Sequence, residues 1–325
     1  MTAPAIEVDA LAKRYGDVEA VRGIDFSVAE GEIFGFLGPN GAGKTTTIKI
    51  LCTLLQPTSG RARLAGLDVV TAPGDVRRRI GVVFQDPSLD DRLTAEENLN
   101  LHAVVYRVPR AERATRIDDA LRFVDLHDRR ADLTRTFSGG MKRRLEIARS
   151  LIHRPDILFL DEPTTGLDPQ TRARTWEVLR GLRDRYRTTL FMTTHYMDEA
   201  ENCDRIAIID HGRIVALDTP AALKQRVGKD MVTARSADPA ALARLLTDKY
   251  GIASTPAEGG LTFLVEGGDA FIVKLLGDDR PALDGISVRR PTLDDVFLSL
   301  TGRQIREEGA ERQAVLRAVA RRRAR

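Results

Sequence analysis

The chain has 325 residues and a formal net charge of +3, and 42% of its residues are apolar and 30% charged. It is long enough to bury one large or two modest cores, and no apolar run reaches the roughly 18 residues that cross a bilayer. We therefore expect a soluble intracellular protein that meets a membrane only through a partner. Positive charge is concentrated in residues 303–325, where eight arginines face three glutamates, whereas the rest of the chain carries a net charge of −2. A folded body without excess positive charge argues against duplex nucleic acid as a ligand.

Short apolar runs separated by turns between residues 5 and 37 predict a small antiparallel β layer. Tyr15 lies just before an expected turn. Its ring either stacks on a purine or is a partly buried structural side chain. The apolar run Ile33–Leu37 predicts a buried strand that leads into the next segment.

A glycine-rich loop follows this strand and fits the phosphate-loop pattern at every fixed position. It consists of Gly38, Pro39, Asn40, Gly41, Ala42, Gly43, Lys44, Thr45 and Thr46. Glycines let successive backbone N–H groups point at phosphate oxygens, Lys44 can reach the terminal phosphates, and the Thr45 hydroxyl can hold Mg²⁺. Helical spacing from Thr45 to Leu55 predicts a helix whose N-terminus faces the phosphates. The loop therefore predicts a nucleoside triphosphate site.

Two further strands are expected near Arg61–Leu64 and Ile80–Phe84. Gln85 comes directly after the second strand, where a nucleotide site would place a contact to Mg²⁺ or to the attacking water. Residues 94–127 show helical periodicity and predict a helical insertion.

Ser138, Gly139 and Gly140 begin another predicted helix, with Ser138 as its N-cap. This start is either an ordinary capped helix or a second turn that binds phosphate.

Two strands are predicted to end in polar side chains. The strand that begins at Ile157 ends in Asp161 and Glu162, and because adjacent strand residues point to opposite faces, we expect Asp161 to hold Mg²⁺ and Glu162 to polarise a water. The strand that begins at Thr188 ends in His195, which we expect to donate a hydrogen bond to a γ-phosphate.

In their order, these motifs resemble the ATP-binding subunits of ABC transporters over about residues 5–220. The matching segments are the aromatic loop at Tyr15, Walker A at Gly38–Thr45, the Q-loop at Gln85, the signature at Ser138–Met141, Walker B through Asp161, the catalytic Glu162, the D-loop at Gly166-Leu167-Asp168 and the switch His195. The signature departs from the commonest form because Met141 stands where glutamine is usual, and Met141 cannot make that hydrogen bond.

The resemblance implies an α/β fold, a P-loop NTPase of ABC type with a RecA-like core, an antiparallel β layer and a helical insertion over about 87–152. It implies a Mg²⁺-dependent ATPase that works as a head-to-tail homodimer. Each ATP would lie between Walker A of one copy and the Ser138–Gly140 turn of the other, with Asp168 nearby. Thr45, Gln85 and Asp161 would be the metal ligands. A separate membrane permease would contact Gln85 and residues 86–106 at the cytoplasmic face of the cell membrane.

Residues 221–302 predict a small α+β domain of ferredoxin-like character. Its predicted order is strand–helix–strand–strand–helix–strand, at Met231–Ala234, Leu242–Leu246, Ile252–Ser254, Leu261–Val265, Phe271–Leu276 and Ile286–Val288. A helix capped by Thr292 follows, with Asp295 three residues later. The basic tail, residues 303–325, is either a solvated end or a helix that contacts anionic lipid.

The C-terminal region is similar to that of the daunorubicin/doxorubicin-resistance type of ABC ATPase. This branch implies export of a hydrophobic drug or lipid-like molecule, although related sodium-export and nodulation-factor export ATPases share most of its features. The alternative is an ABC ATPase that acts on ribosomes or DNA. Ribosomal forms usually carry two ATP domains and DNA-repair forms long coiled coils, and this sequence shows neither.

Overall fold

The computed structural model describes residues 4–86, 88–257, 260–278 and 283–302. They form two compact units, which divide between Asp218 and Thr219. The basic tail of residues 303–325, with its predicted helix, lies outside the described residues. In the described part of the chain, every helix is too short or too polar to cross a bilayer.

The first unit contains ten strands, seven α-helices and two short 3-10 helices (His127–Arg129 and Thr134–Thr136) among its described residues. The strands are β1 (Ile6–Tyr15), β2 (Val18–Val28), β3 (Ile33–Leu37), β4 (Ser59–Leu64), β5 (Leu67–Asp68), β6 (Ile80–Val83), β7 (Ile157–Asp161), β8 (Thr189–Thr194), β9 (Arg205–Asp210) and β10 (Arg213–Asp218). The helices are α1 (Lys44–Leu51), α2 (Pro73–Arg79), α3 (Ala95–Val105), α4 (Arg110–Phe123), α5 (Gly139–Leu151), α6 (Pro169–Tyr186) and α7 (Met197–Ala200).

The strands of the first unit form two sheets. A six-stranded sheet has the order β10-β9-β3-β8-β7-β6 and is parallel except for β10, and an antiparallel sheet has the order β2-β1-β4-β5. Every residue of β3, β7 and β8 is buried, which explains their nearly continuous apolar sequences. Because these three strands are adjacent in the sheet, their carboxyl ends bring the glycine-rich loop, His195 and the pair Asp161 and Glu162 to the same edge of the sheet.

Aromatic rings join the two sheets. Phe26 of β2 packs on Phe34 and Phe36 of β3 and on Phe191 of β8, and Phe159 of β7 extends the cluster, with ring centroids 5.4–5.9 Å apart. All of these rings are buried. The core therefore lies directly below the strand ends that carry the candidate site, which fixes their positions.

The predicted antiparallel layer, parallel core and helical insertion are confirmed, and the helix after the glycine-rich loop is shorter than predicted. That helix was expected to reach Leu55 but ends at Leu51. Thr53 has a left-handed backbone, with φ of 60°, which an α-helix cannot continue through.

The second unit has the predicted strand–helix–strand–strand–helix–strand order, flanked by a helix on each side. Its elements are α8 (Pro220–Val227), β11 (Asp230–Arg235), α9 (Pro239–Tyr250), β12 (Ser254–Ala257), β13 (Gly260–Val265), α10 (Gly268–Asp278), β14 (Gly285–Arg289) and α11 (Leu293–Thr301). The sheet is antiparallel with the order β12-β13-β11-β14, which confirms the ferredoxin-like prediction.

Two local predictions in the second unit have different outcomes. Thr292 caps α11 in a reciprocal capping box with Asp295, as predicted. The strand predicted at Ile252–Ser254 starts only at Ser254. The reason is that the backbone N–H of Ile252 donates to the carbonyl of Leu246, 2.9 Å away, and so closes the end of α9.

Candidate functional site

The glycine-rich loop connects β3 to α1, as the pattern predicts. At Gly38 an added Cβ would lie 2.3 Å from the carbonyl oxygen of Ile209, and at Gly43, where φ is 109°, it would lie 2.5 Å from that of Ala20. A residue with a Cβ therefore cannot replace Gly38 or Gly43 unless the backbone moves. By contrast, a Cβ at Gly41 would meet nothing within 4 Å. The loop is therefore closely packed at Gly38 and Gly43 and open at Gly41, as a loop that binds phosphate through its backbone N–H groups requires.

Lys44 begins α1, and its ammonium lies across the loop. The side chain is 5% exposed, and Nζ donates to the carbonyl oxygens of Gly38 (2.7 Å) and Pro39 (3.1 Å). Nζ also lies 3.5 Å from Oε1 of Glu162. Burial lowers the pKa of Lys44, and the neighbouring Glu162 and Asp161 carboxylates partly oppose that shift.

Glu162 corrects one step of the prediction. It is not a strand residue that alternates with Asp161, because β7 ends at Asp161 and Glu162 adopts a left-handed backbone with φ of 48°. A glutamate in this conformation stores on the order of 1–3 kcal/mol of strain. Its N–H donates to the Thr193 hydroxyl (3.0 Å), which holds the turn. The two acids therefore differ in backbone conformation, because the chain turns at Glu162 and does not continue the pleat of β7.

The Glu162 carboxylate is surrounded by donors. Oε1 lies 3.1 Å from Nδ1 of His195 as well as beside Lys44, although the His195 nitrogen makes no well-aligned hydrogen bond. Oε2 accepts from the Thr165 hydroxyl at 3.2 Å. Burial alone would raise the pKa of Glu162, but His195, Lys44 and Thr165 together outweigh it and hold the pKa below its ordinary value. Glu162 is therefore kept as a carboxylate that can accept a proton or orient a water.

Thr193 connects both acids, and nothing in the sequence indicated this role. Its hydroxyl donates to Oδ1 of the buried Asp161 at 2.5 Å and accepts from the Glu162 N–H. The hydroxyl thereby fixes Asp161 and Glu162 relative to β8. A threonine in a strand is ordinary, so its type carries no signal of this role.

A buried ion pair on α5 was also missed. The Arg143 guanidinium donates to the carbonyl oxygens of Phe84 (2.6 Å) and Glu162 (3.3 Å) and pairs with Glu146 at 3.1 Å. Glu146 in turn accepts from the N–H of Ser88 at 2.8 Å. Burial lowers the pKa of Arg143, and Glu146 opposes the shift. The available signal was an Arg and a Glu three residues apart on a predicted helix, a spacing at which the two side chains can pair.

Glu199 is a third missed residue, and it lies behind the switch histidine. It is 1% exposed, and Oε2 accepts from the Thr194 hydroxyl at 2.7 Å. The Thr194 hydroxyl accepts from the N–H of Tyr196 (2.9 Å), and the Thr194 carbonyl accepts from the N–H of Gly38 (3.2 Å). Burial raises the pKa of Glu199, while Thr194, Arg172 and His195 oppose that shift. Glu199 thus holds Thr194, whose carbonyl connects the end of β8 to the start of the glycine-rich loop.

The Ser138–Gly140 turn is an N-cap with an open outer side. Ser138 Oγ accepts from the N–H of Met141 at 3.3 Å. A Cβ added at Gly139 would meet nothing within 4 Å, whereas one at Gly140 would lie 2.1 Å from Cγ2 of Thr171. Gly140 packs inward and Gly139 leaves the backbone accessible from outside.

Asp168 caps α6 and contacts the same threonine. Its carboxylate accepts from the N–H (3.0 Å) and the hydroxyl (2.6 Å) of Thr171. These hydrogen bonds lower the pKa of Asp168. Through Thr171, Asp168 is positioned beside the Ser138–Gly140 turn.

The structure joins only part of the predicted site. Lys44, Asp161, Glu162 and His195 lie together at the ends of β3, β7 and β8. Tyr15 and Gln85 are exposed, and among the described residues no hydrogen bond or ion pair connects either of them, or the Ser138–Gly140 turn, to loop 38–46. The predicted residues therefore form one buried cluster and separate outward-facing groups.

The groups predicted to hold Mg²⁺ fit that ion by chemistry. Thr45 and Gln85 are exposed, and Asp161 accepts a single hydrogen bond among the described residues, on Oδ1. Hydroxyl, amide and carboxylate oxygens are the ligands that Mg²⁺ prefers. The described residues contain no group of three or more His, Cys, Asp or Glu that could hold a metal.

A glycine-rich loop after a central parallel strand, with a buried lysine and with two carboxylates where another strand of the same sheet ends, defines a P-loop nucleoside triphosphatase. The family model described as ABC transporter matches residues 21–165. The chain is 43% identical to the daunorubicin/doxorubicin resistance ATP-binding protein DrrA of Streptomyces peucetius, over 96% of this chain and 98% of that protein. It is 40% identical to the Nod factor export ATP-binding protein I of Ralstonia nicotianae, over 94% of this chain and 96% of that protein. The chain therefore belongs to the ABC transporter ATP-binding family, whose members are ATPases.

Solved structures support the same family assignment. The chain is similar to cbiO1 from Clostridium perfringens, part of the ABC transporter complex cbiONQ, with a TM-score of 0.65 and 30% identity over 70% of this chain and 94% of that one. It is also similar to the ATP-binding cassette MJ0796, solved as a dimer bound to ADP and Pi, with a TM-score of 0.59 and 29% identity over 66% of this chain and 98% of that one.

Proposed function

We propose that this protein is the ATP-hydrolysing subunit of an ABC exporter, and that ATP-driven dimerisation powers transport through a separate membrane permease. The observation that carries hydrolysis is the Glu162 carboxylate, which is buried, ionised and placed between Lys44 and His195. Export is supported by the drug-resistance and Nod factor export relatives, which match nearly the whole chain. The cargo would be a hydrophobic drug or a lipid-like molecule.

The chemistry follows from the contacts of Glu162. The γ-phosphate of ATP competes with Glu162 for the Lys44 ammonium, because both are anions and Lys44 lies 3.5 Å from Glu162 Oε1. Once released from Lys44, Glu162 accepts a proton from the attacking water. His195, whose Nδ1 lies 3.1 Å from Oε1 of Glu162, then donates a hydrogen bond to the γ-phosphate. Bound Mg²⁺, held by Thr45, Gln85 and Asp161, would neutralise charge on the phosphate oxygens.

The Ser138–Gly140 turn supports a dimeric site. It faces outward and, in the part of the chain that the structure describes, has no hydrogen bond or ion pair to the loop of its own chain, and the sequence has one copy of each motif. In a head-to-tail homodimer, this turn and Asp168 of one copy would complete the site around the Walker A loop, Tyr15 and Gln85 of the other. The permease would hold the dimer at the cytoplasmic face of the cell membrane, in contact with Gln85 and residues 86–106. The reported relatives offer no support for the alternative, action on ribosomes or DNA.

The decisive experiment replaces Glu162 with Gln, which preserves shape and removes the base. We expect turnover to fall by at least about 100-fold while ATP still binds, so that a nucleotide-bound dimer accumulates on gel filtration. Lys44→Ala is the matched control, because it should abolish the ATP-dependent dimer. A Glu162→Gln protein that stays monomeric at saturating ATP, or that hydrolyses ATP at the wild-type rate, would contradict the mechanism.

The exporter assignment has a separate test. The tagged protein is purified from a detergent extract of its own cells, and the proteins bound to it are identified by mass spectrometry. We expect a polytopic membrane protein in stoichiometric amount. Recovery of ribosomes without such a protein would overturn the exporter assignment but leave the ATPase mechanism intact.

A further inference from the structure

A cavity of about 570 Å³ opens in the first unit at the amino ends of β7 and β8. These strands carry Asp161 and Thr193 near their other ends, so the cavity is on the opposite edge of the sheet from the nucleotide site. Its walls come from these strand starts, from α4 and from the end of α6. The volume is typical of small-molecule sites, which measure roughly 300–1,000 Å³. None of its residues takes part in the chemistry described above.

One wall of the cavity is aromatic. The rings of Phe123 and Tyr186 meet edge to face with centroids 5.7 Å apart, and Tyr186 remains 47% exposed. Ala120 and Ile157, both buried, add apolar surface. Such a wall offers a flat ring the offset and edge contacts that aromatic groups prefer.

Two guanidinium groups of the lining are free to bind a ligand. Arg154 and Arg187 precede the neighbouring strands β7 and β8, both are exposed, and neither has an ion pair among the described residues. By contrast, the lining residues Arg79 and Arg116 pair with Asp156 and Glu112, each at 2.6 Å. A guanidinium is weakly hydrated and presents a planar fork that matches carboxylate or sulfonate oxygens.

A hydroxyl beside Arg187 adds a donor. Thr188 lines the cavity and is 4% exposed, and its side chain makes no hydrogen bond among the residues that the structure describes. Its hydroxyl can therefore donate to an anion bound in the cavity. The carboxylates of Glu30 and Asp119 also line the cavity, but both residues are exposed, and a carboxylate can remain hydrated there.

From this arrangement we propose that the cavity is a binding site for an aromatic organic anion. The ring packs against Phe123 and Tyr186, and the anionic group accepts hydrogen bonds from Arg154, Arg187 and Thr188. Such a ligand contacts α4, α6 and the starts of β7 and β8 at once. The site is independent of the nucleotide-binding loop and of the exporter assignment.

The test uses two dyes of similar shape, the anionic anilinonaphthalene sulfonate and the neutral phenylnaphthylamine. Fluorescence titrations are made on the full chain with saturating ADP, so that the nucleotide site is occupied. We expect the double variant Arg154→Gln/Arg187→Gln to lose at least about tenfold in affinity for the anionic dye, because two charged hydrogen bonds are removed. Its affinity for the neutral dye should change less than about twofold. Thr188→Val, which keeps the shape of the side chain, should weaken only the anionic dye, by about threefold.

Two controls make the result specific to this cavity. Arg92→Gln removes an exposed arginine that does not line the cavity and should leave both titrations unchanged. Glu30→Gln/Asp119→Asn removes the two carboxylates, and affinity for the anionic dye should stay the same or rise. ATP turnover shows that each variant is folded. Unchanged affinity of the Arg154/Arg187 variant for the anionic dye, or a loss on removing the carboxylates, would overturn the proposal.

Discussion

The packing of the signature turn leads to a prediction about two neighbouring glycines. In Gly140→Ala the new methyl group would lie 2.1 Å from Cγ2 of Thr171. Thr171 cannot rotate away cheaply, because its hydroxyl donates to Asp168 at 2.6 Å. Overpacking of this kind lowers the free energy of unfolding by about 1–3 kcal/mol. The higher helix propensity of alanine raises it by at most about 1 kcal/mol. We therefore expect Gly140→Ala to lower the free energy of unfolding.

Gly139→Ala is the matched control, since it places the same methyl group one residue earlier in open space. It should leave stability unchanged or raise it by up to about 1 kcal/mol. Thr171→Ser removes Cγ2 and keeps the hydroxyl, so in the double variant with Gly140→Ala the nearest remaining contacts are 3.4 Å away. The two substitutions should therefore couple favourably by about 1–2 kcal/mol.

Urea unfolding followed by the fluorescence of Trp176 suits these measurements. Trp176 is the single tryptophan of the chain, is 4% exposed and lies on α6 with Thr171, so it reports on the unit that is perturbed. Equal midpoints for Gly140→Ala and Gly139→Ala would refute the packing argument. So would a double variant no more stable than Gly140→Ala alone.

Three further predictions concern the nucleotide site. Lys44→Ala should weaken binding of a fluorescent ATP analogue at least about tenfold, because a charged donor is lost, and an unaltered titration would remove Lys44 from this role. Gly139→Leu should leave the urea midpoint near that of the wild type but prevent the ATP-dependent dimer of Glu162→Gln on gel filtration, and a retained dimer would place the turn outside the interface. The raised pKa of Glu199 stabilises the fold at low pH, and that contribution is lost as pH rises from the ordinary value of 4.5 through the folded-state pKa. Glu199→Gln should remove this slope from urea midpoints measured across that range, and an unchanged slope would exclude Glu199 as its source.

Much of the fold could be predicted because its signals are local. The glycine-rich loop is recognised by residue types at fixed spacing. The ferredoxin-like unit is recognised because apolar residues recur in turn with the spacing of a strand and with that of a helix. The element ends were less accurate. The helix of residues 44–51 stops where Thr53 becomes left-handed, and no residue type before Leu55 marks that stop.

The parts of the site that were missed depend on partners distant in sequence. The turn at Glu162 is held by Thr193, which belongs to a different strand, and Gly140 is required because Thr171 packs above it. Arg143 acts on the carbonyl groups of two other strand ends. Each residue has an ordinary type for its own element, so only the folded chain shows what it contacts.

The protonation of the acidic residues, which matters most for the chemistry, likewise depends on contacts that the sequence does not show. Glu162 directly follows β7 and Glu199 lies in α7 after β8, and the local sequence of neither shows the direction in which the fold shifts its pKa. In the fold, His195 and Lys44 outweigh burial at Glu162 and lower its pKa, whereas burial prevails at Glu199 and raises it. Two glutamates with pKa values pushed in opposite directions on either side of His195 can divide their tasks, one as an ionised base and the other as a structural acceptor. Motif spacing identifies the first glutamate, but only the packing around β8 reveals the second.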